Sequence, residues 1–278
     1  SLNSQRDVKT NKLGQKGRIE HYQSFYCNAS TDLDKNAEEI DLEDYTDKKI
    51  QERLNEYFSE NKSKFIKRLN KGPPNSFRWV AWSTIRGLPL NRNNDVYKNF
   101  LNQELEKDNK ASIIRDIDRT FSEQSIEKKE LRKIETSLYN VLKSYWNLDK
   151  EVGYCQGMNL IVGLLLILTN YNERETFFLL VAVFTNSFIT TKKFEYSFRG
   201  FFSEGFTLLH LFNYIFDKLL EKQIPELKKH LDELGITYDI WIGQWFQTLF
   251  TIILPVNWLQ RLWDCIFAEN IFFLLNLQ

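Results

Sequence analysis

Two short polar segments interrupt an otherwise apolar, helical sequence and carry the residues best suited to chemistry. One is Ile113-Ile114-Arg115-Asp116-Ile117-Asp118-Arg119-Thr120-Phe121, the other Gly153-Tyr154-Cys155-Gln156-Gly157-Met158-Asn159. Arg119 offers five N–H donors in a planar, permanently charged fork, which suits oxygens that gather charge as a phosphoryl group separates. Gln156 offers an amide that both donates to and accepts from a water molecule. A cation on the phosphates and an amide on the attacking water is the pairing that GTP hydrolysis needs. Asp116 lies one helical turn before Arg119, close enough to hold its guanidinium or its backbone. Plainer readings stand beside these. The first segment is also what a charged helix end with surface ion pairs looks like, and Arg115 competes with Arg119. Tyr154 reads equally as a core aromatic, Gln156 as a polar residue of a first helical turn, and Asn159 as a local hydrogen-bonder.

The elements that must position these residues are helical. At 278 residues, with 42% hydrophobic and 15% aromatic content, the chain can bury a substantial core. Its 37 basic and 37 acidic residues cancel, so it lacks the basic footprint of a sequence-independent nucleic-acid binder. Cys27, Cys155 and Cys265 are odd in number and far apart, which argues against a disulfide framework and fits a reducing, cytoplasmic compartment. The polar stretch from Ser1 to Glu20 has no secretory signal core. The most apolar stretches, Leu160 to Leu168 and Phe177 to Phe184, are divided by Asn170, Asn172, Glu173, Arg174 and Glu175 into pieces too short to span a bilayer. They read as buried core helices, with no integral membrane segment.

Residues 1 to 47 form a polar leader, first basic and then acidic, whose low hydrophobicity predicts mobility. The spacing of Ile50, Leu54, Tyr57 and Phe58 predicts a helix from Lys48, followed by a second, basic one. Gly72-Pro73-Pro74-Asn75-Ser76 then predicts a break and a new helix capped by Ser76. Further helices are expected over Ile134 to Tyr145, ending near Trp146-Asn147, and over Leu209 to Leu219. Pro225 and Gly235 bracket another. The spacing of Trp241, Trp245, Leu249 and Ile253 carries a last one as far as Pro255. No alternating run bounded by hairpin turns supports a sheet, so the expected class is all-α.

Competing chemistry is thin. Gly14-Gln15-Lys16-Gly17 lacks the glycine spacing and following Ser or Thr of a phosphate loop. His21, His210 and His230 have no zinc-type spacing, so no metal site is expected. Cys155 has no local histidine partner and reads as a buried thiol.

Five ordered elements resemble those of the TBC domain, the GTPase-activating module for Rab-family GTPases. They are Arg78-x-x-x-Trp82 after a Gly-Pro turn, Ile113-x-x-Asp116-x-x-Arg119, Tyr154-x-Gln156, Trp245-x-x-x-x-Phe250, and Leu254-Pro255 through Arg261-Leu262-Trp263-Asp264. The resemblance covers about residues 70 to 278. It implies a multi-helix fold of two packed lobes over 48 to 278. The chain stops in Ile271 to Leu275, an apolar helix start, where the family continues with more helices, which implies a truncated or short last lobe.

The resemblance also implies a function: acceleration of GTP hydrolysis by a GTP-bound Rab protein, with vesicle trafficking as the setting. Arg119 would be an arginine finger, since it alone has the family's spacing from Ile113 and Asp116. Gln156 would be a glutamine finger supplied in trans, Asp116 the orienter, and Gly157 room for the partner's backbone. Ile113, Tyr154, Arg78 and Trp82 would support them. GTP and Mg²⁺ would belong to the partner, with no cofactor on this chain, and membrane association would be peripheral. A non-catalytic Rab-binding or scaffold module is the alternative; retention of both fingers favours catalysis.

Overall fold

A computed structural model describes residues 47–89, 94–120, 128–185, 189–190, 195–237 and 239–269. The leader, Gly14 to Gly17, His21, Cys27 and the apolar end from Ile271 lie outside the described residues. The order of helices is α1 (Asp47–Lys71), α2 (Asn75–Ile85), α3 (Asn94–Leu101), α4 (Lys107–Thr120), α5 (Lys128–Leu148), α6 (Met158–Leu168) and α7 (Glu173–Thr185), then α8 (Thr207–Gln223), α9 (Pro225–Glu233), α10 (Asp239–Gln247) and α11 (Val256–Glu269). The only strands among the described residues are a two-residue antiparallel pair, Ile189–Thr190 with Glu195–Tyr196. The all-α class holds.

Helices α6 and α7 are apolar on nearly every side because they run through the middle. Ile161, Val162, Leu165 and Leu166 of α6, and Leu179, Val183 and Phe184 of α7, are fully buried, as an all-round hydrophobic helix must be. Helices α2, α4 and α5 pack on α6, and α3 and α5 on α7. Beyond α7, Phe198, Phe201, Phe212 and Phe246 pack in successive pairs tilted or edge to face, so the core continues into α8 and α10.

The two helices expected after Lys48 both lie within α1, separated by a kink at Asn61, whose φ of −132° and ψ of 41° are non-helical. Two boundaries differ from those read in the sequence. Helix α2 begins at Asn75 rather than being capped by Ser76: Pro74 presets the entry at φ −56°, and the Phe77 N–H closes the first turn on its carbonyl at 3.1 Å. Helix α10 stops at Gln247, short of the expected Ile253, because Leu249 and Phe250 turn left-handed at φ 50° and 66°. That conformation costs roughly 1–2 kcal/mol per residue. It is offset by burial of Leu249, by the indole N–H of Trp263 donating to the Leu249 carbonyl at 3.0 Å, and by Phe250 packing on Trp245 and Phe246.

The two ends of the domain are joined by a buried ion pair. Arg78 Nε donates to Asp264 Oδ1 at 3.1 Å and Nη2 to Oδ2 at 3.2 Å, with Trp82 Nε1 donating to Oδ1 at 2.9 Å. Arg261 Nη1 adds a fourth donor at 2.6 Å, and Arg78 also reaches Asn75 and Gln260. Burial pushes the Asp264 carboxyl up, against the pull of Arg78, Trp82 and Arg261. Arg78 and Trp82, expected to support the catalytic residues, thus lock α2 to α11.

Candidate functional site

The two polar segments meet. Helix α4 ends at Thr120, and its last turn carries Asp116 and Arg119. The second segment leaves α5, turns, and enters α6. Ile113, fully buried, seats α4 in the core. The join is made by four side chains. Tyr154 Oη donates to Asp116 Oδ2 at 2.7 Å and lies 3.2 Å from Asn159 Oδ1. Asn159 Nδ2 donates to Thr120 Oγ1 at 2.8 Å, and that hydroxyl donates onward to the Asp116 carbonyl, also at 2.8 Å. Asn159 Oδ1 accepts the Gly157 N–H at 3.1 Å. Because these bonds are short, shared and largely out of water, they hold the end of α4 and the Gln156 turn as one unit.

Gly157 is glycine for reasons inside this chain. Its φ of 101° lies in the left-handed region, and an added Cβ would come within 3.1 Å of Thr248 Cγ2 and 3.5 Å of the Gln247 carbonyl. The space that the missing side chain leaves is filled by the turn after α10, where the sequence reading reserved it for a partner's backbone.

The turn is also fixed at its start. The Asp149 carboxylate takes Arg199 in a two-pronged contact, Nε to Oδ2 at 2.7 Å and Nη2 to Oδ1 at 3.0 Å, and accepts the Val152 N–H at 3.3 Å. Burial raises the Asp149 carboxyl, but Arg199 and Val152 outweigh it and leave it below the ordinary value. Gly153, at φ 62°, lets the indole of Trp146 lie where a Cβ would be, 2.8 Å from Nε1. Burial pushes the Cys155 thiol up, and its sulfur sits 3.7 Å from the Phe202 carbonyl, so it has the character of a packed thiol.

These pieces open onto one cleft of about 410 Å³. One wall is Asp116, Thr120, Gln156, Gly157, Asn159 and Leu160; the other is Gln244, Gln247, Thr248 and Ile252 from α10 and the left-handed turn. Gln156 is exposed at this cleft, with an amide free of backbone duties that any capping role would impose. In the chain, Arg119 falls between the cleft-lining residues Asp116 and Thr120, in the last turn of α4. Arg78 and Trp82 are not among the lining residues. Asn159, Thr120, Asp149 and Arg199 were missed as contributors. The signal for Asn159 was present: it is a lone polar residue in the first turn of the otherwise apolar helix Met158–Leu168. Asp149 and Arg199 gave none, being ordinary charges 50 residues apart.

An all-α domain whose two polar segments converge on a cleft at a helix end is the class defined by fold and site. The profile of the Rab-GTPase-TBC domain matches residues 75–277. Rab GTPase-activating protein eat-17 of Caenorhabditis elegans is 34% identical over 211 residues, covering 76% of this chain and 22% of that protein. Growth hormone-regulated TBC protein 1 of Homo sapiens is 30% identical over 213 residues, covering 75% of this chain and 60% of that one. The chain therefore spans less than two thirds of either relative. The crystal structure of the Chlamydomonas flagellar RabGAP TBC domain superposes with a TM-score of 0.59 at 24% identity, covering 80% of this chain and 76% of that chain, a likeness of fold. This chain belongs to the Rab-GTPase-TBC domain family.

Proposed function

We propose that this chain accelerates GTP hydrolysis by a GTP-bound Rab-family GTPase, with Arg119 and Gln156 inserted in trans as arginine and glutamine fingers. The observation that carries the reading is the bonding of the α4 end to the Gln156 turn through Asp116, Tyr154, Asn159 and Thr120. It ties the segment bearing a permanent cation to the segment bearing a free amide at the edge of one cleft. In the transition state, charge spreads over the oxygens of the departing phosphoryl group while a water lines up opposite the leaving oxygen. A guanidinium answers the first need and an amide the second. Holding the two segments together before the partner arrives removes reorganisation from the reaction step.

The partner brings GTP and its Mg²⁺; this chain contributes side chains. Asp116 acts as a positioning residue, fixing the turn through Tyr154. The names of relatives such as eat-17 support a Rab protein as the partner class. Association with vesicle or organelle membranes would be peripheral as far as the described residues go, since none of their helices is long and apolar enough to cross a bilayer. Single-turnover GTP hydrolysis across a panel of purified Rab GTPases tests the reading. Acceleration of at least one member, lost in Arg119→Ala, supports it; binding of GTP-loaded Rab without acceleration by any member would leave a binding module.

A further inference from the structure

The cleft alone cannot hold a GTPase. About 410 Å³ admits a side chain or two, whereas a specific protein interface buries on the order of 800 Å² on each partner. Contacts must therefore continue over the rim. On the α10 side, Ile252 lines the cleft and is 50% exposed, and the chain that follows it carries exposed Ile253 and Val256 and then Trp258, which is 71% exposed. Helix α11 buries Leu259, Trp263, Ile266 and Phe267 against the core, so its packing makes no use of the Trp258 indole. From Ile240 to Gln260 the chain carries no Asp, Glu, Lys or Arg, although 27% of all its residues are charged. Interface centres are depleted of charge in just this way, and tryptophan is their commonest anchor. The turn that precedes Ile252 is tied to α11, which bears Trp258, by the Trp263 to Leu249 hydrogen bond.

Resting on the reading of the cleft given above, we propose that Ile252, Ile253, Val256 and Trp258 form an apolar ledge on which the GTPase docks beside its nucleotide site, with Trp258 as the anchor that sets affinity and choice of partner. The complementary surface on the GTPase is apolar and uncharged. Ile252 belongs to both the ledge and the cleft, so a partner whose phosphates face Gln156 covers it; a second copy of this chain seated there would obstruct the cleft.

The test is single-turnover hydrolysis at increasing concentrations of this chain, with a GTPase that it accelerates. Truncation of a hot-spot tryptophan weakens binding about 30-fold or more, so Trp258→Ala should raise the half-saturating concentration by that factor. The saturated rate and the melting temperature should stay within error of the parent, and Trp258→Phe should recover part of the loss. Ile253→Ser should act in the same direction more weakly. An unchanged half-saturating concentration overturns the ledge, as does a loss confined to the saturated rate. A change in oligomeric state or melting temperature overturns it too, because the occupant would then be a second copy or this chain's own Ile271 to Leu275. If no GTPase is accelerated at all, the functional reading fails and takes the ledge with it; if acceleration depends on Arg119 but ignores Trp258, the ledge alone fails.

Discussion

Asp264 and Asp116 are both carboxylates met by an aromatic hydrogen-bond donor, and both lie in segments that the sequence marks out. Asp264 is fully buried and takes Trp82, Arg78 and Arg261; Asp116, 8% exposed, takes Tyr154 at the wall of a cleft. The first joins two helices whose residues are 186 apart and closes the domain. The second joins a helix end to a turn that faces solvent. Similar parts sit in different surroundings: a carboxylate in the core must be fully compensated and so fixes architecture, whereas the one at the cleft wall ties two chain segments beside open space. Substitutions in the second region should change rate more than stability, and those in the first should change stability.

The largest contrast is expected at Arg119. Arg119→Ala should lower stimulated hydrolysis about 10³ to 10⁵-fold with an unchanged thermal melt. A large drop in melting temperature would instead place Arg119 with Asp264 as a structural residue.

Arg78→Ala should do the reverse. Removing one partner of a buried pair costs about 3–5 kcal/mol, read as a shift in urea midpoint, while the folded fraction keeps its rate. Loss of rate without loss of stability would mean that the clamp reaches the cleft after all.

Between the two lies Tyr154→Phe. It deletes one hydroxyl donor to the Asp116 carboxylate, a cost of about 1–3 kcal/mol, and it loosens the Gln156 turn. Hydrolysis should fall, by less than in Arg119→Ala, and Asp116→Ala should behave alike. If either variant loses most of its melting temperature, the network is structural rather than orienting.

The smallest effect is acid sensitivity at Asp149. Its carboxyl is lowered in the fold, so the stabilisation from Arg199 is present above the unfolded value near ~3.9 and is lost as pH falls through the lower folded value. Melting temperature followed from pH 6 to pH 3 should decline more steeply in the parent than in Arg199→Ala. Parallel curves would show that the pair contributes nothing.

Much of this organisation was legible in the sequence, and the remainder was not for identifiable reasons. The helical periods of α5 and α8 gave those elements, since one buried stripe on a helix repeats every three or four residues. Arg78, Trp82 and Asp264 were all found by spacing, but their pairing was not, because no local pattern encodes a contact made across nearly the whole domain. The end of α10 was misplaced because Trp241, Trp245, Leu249 and Ile253 keep a helical step, while burial of Leu249 and its hydrogen bond to Trp263 decide the backbone. Gln156 was identified as an amide suited to water, yet the role of Asn159 in holding its turn needed the fold.

The most direct test of the two-finger mechanism compares where the water-orienting amide must come from. Single-turnover hydrolysis is measured for an activated Rab and for the same Rab with its own switch glutamine changed to Ala, each with the parent chain and with Gln156→Ala. The mechanism predicts that the altered Rab is still accelerated by the parent chain, and that Gln156→Ala fails even on the unaltered Rab, because a single well-placed amide suffices. Full dependence on the Rab glutamine together with indifference to Gln156 would contradict it, leaving Arg119 as a single finger and Gln156 as a polar residue at a helix start.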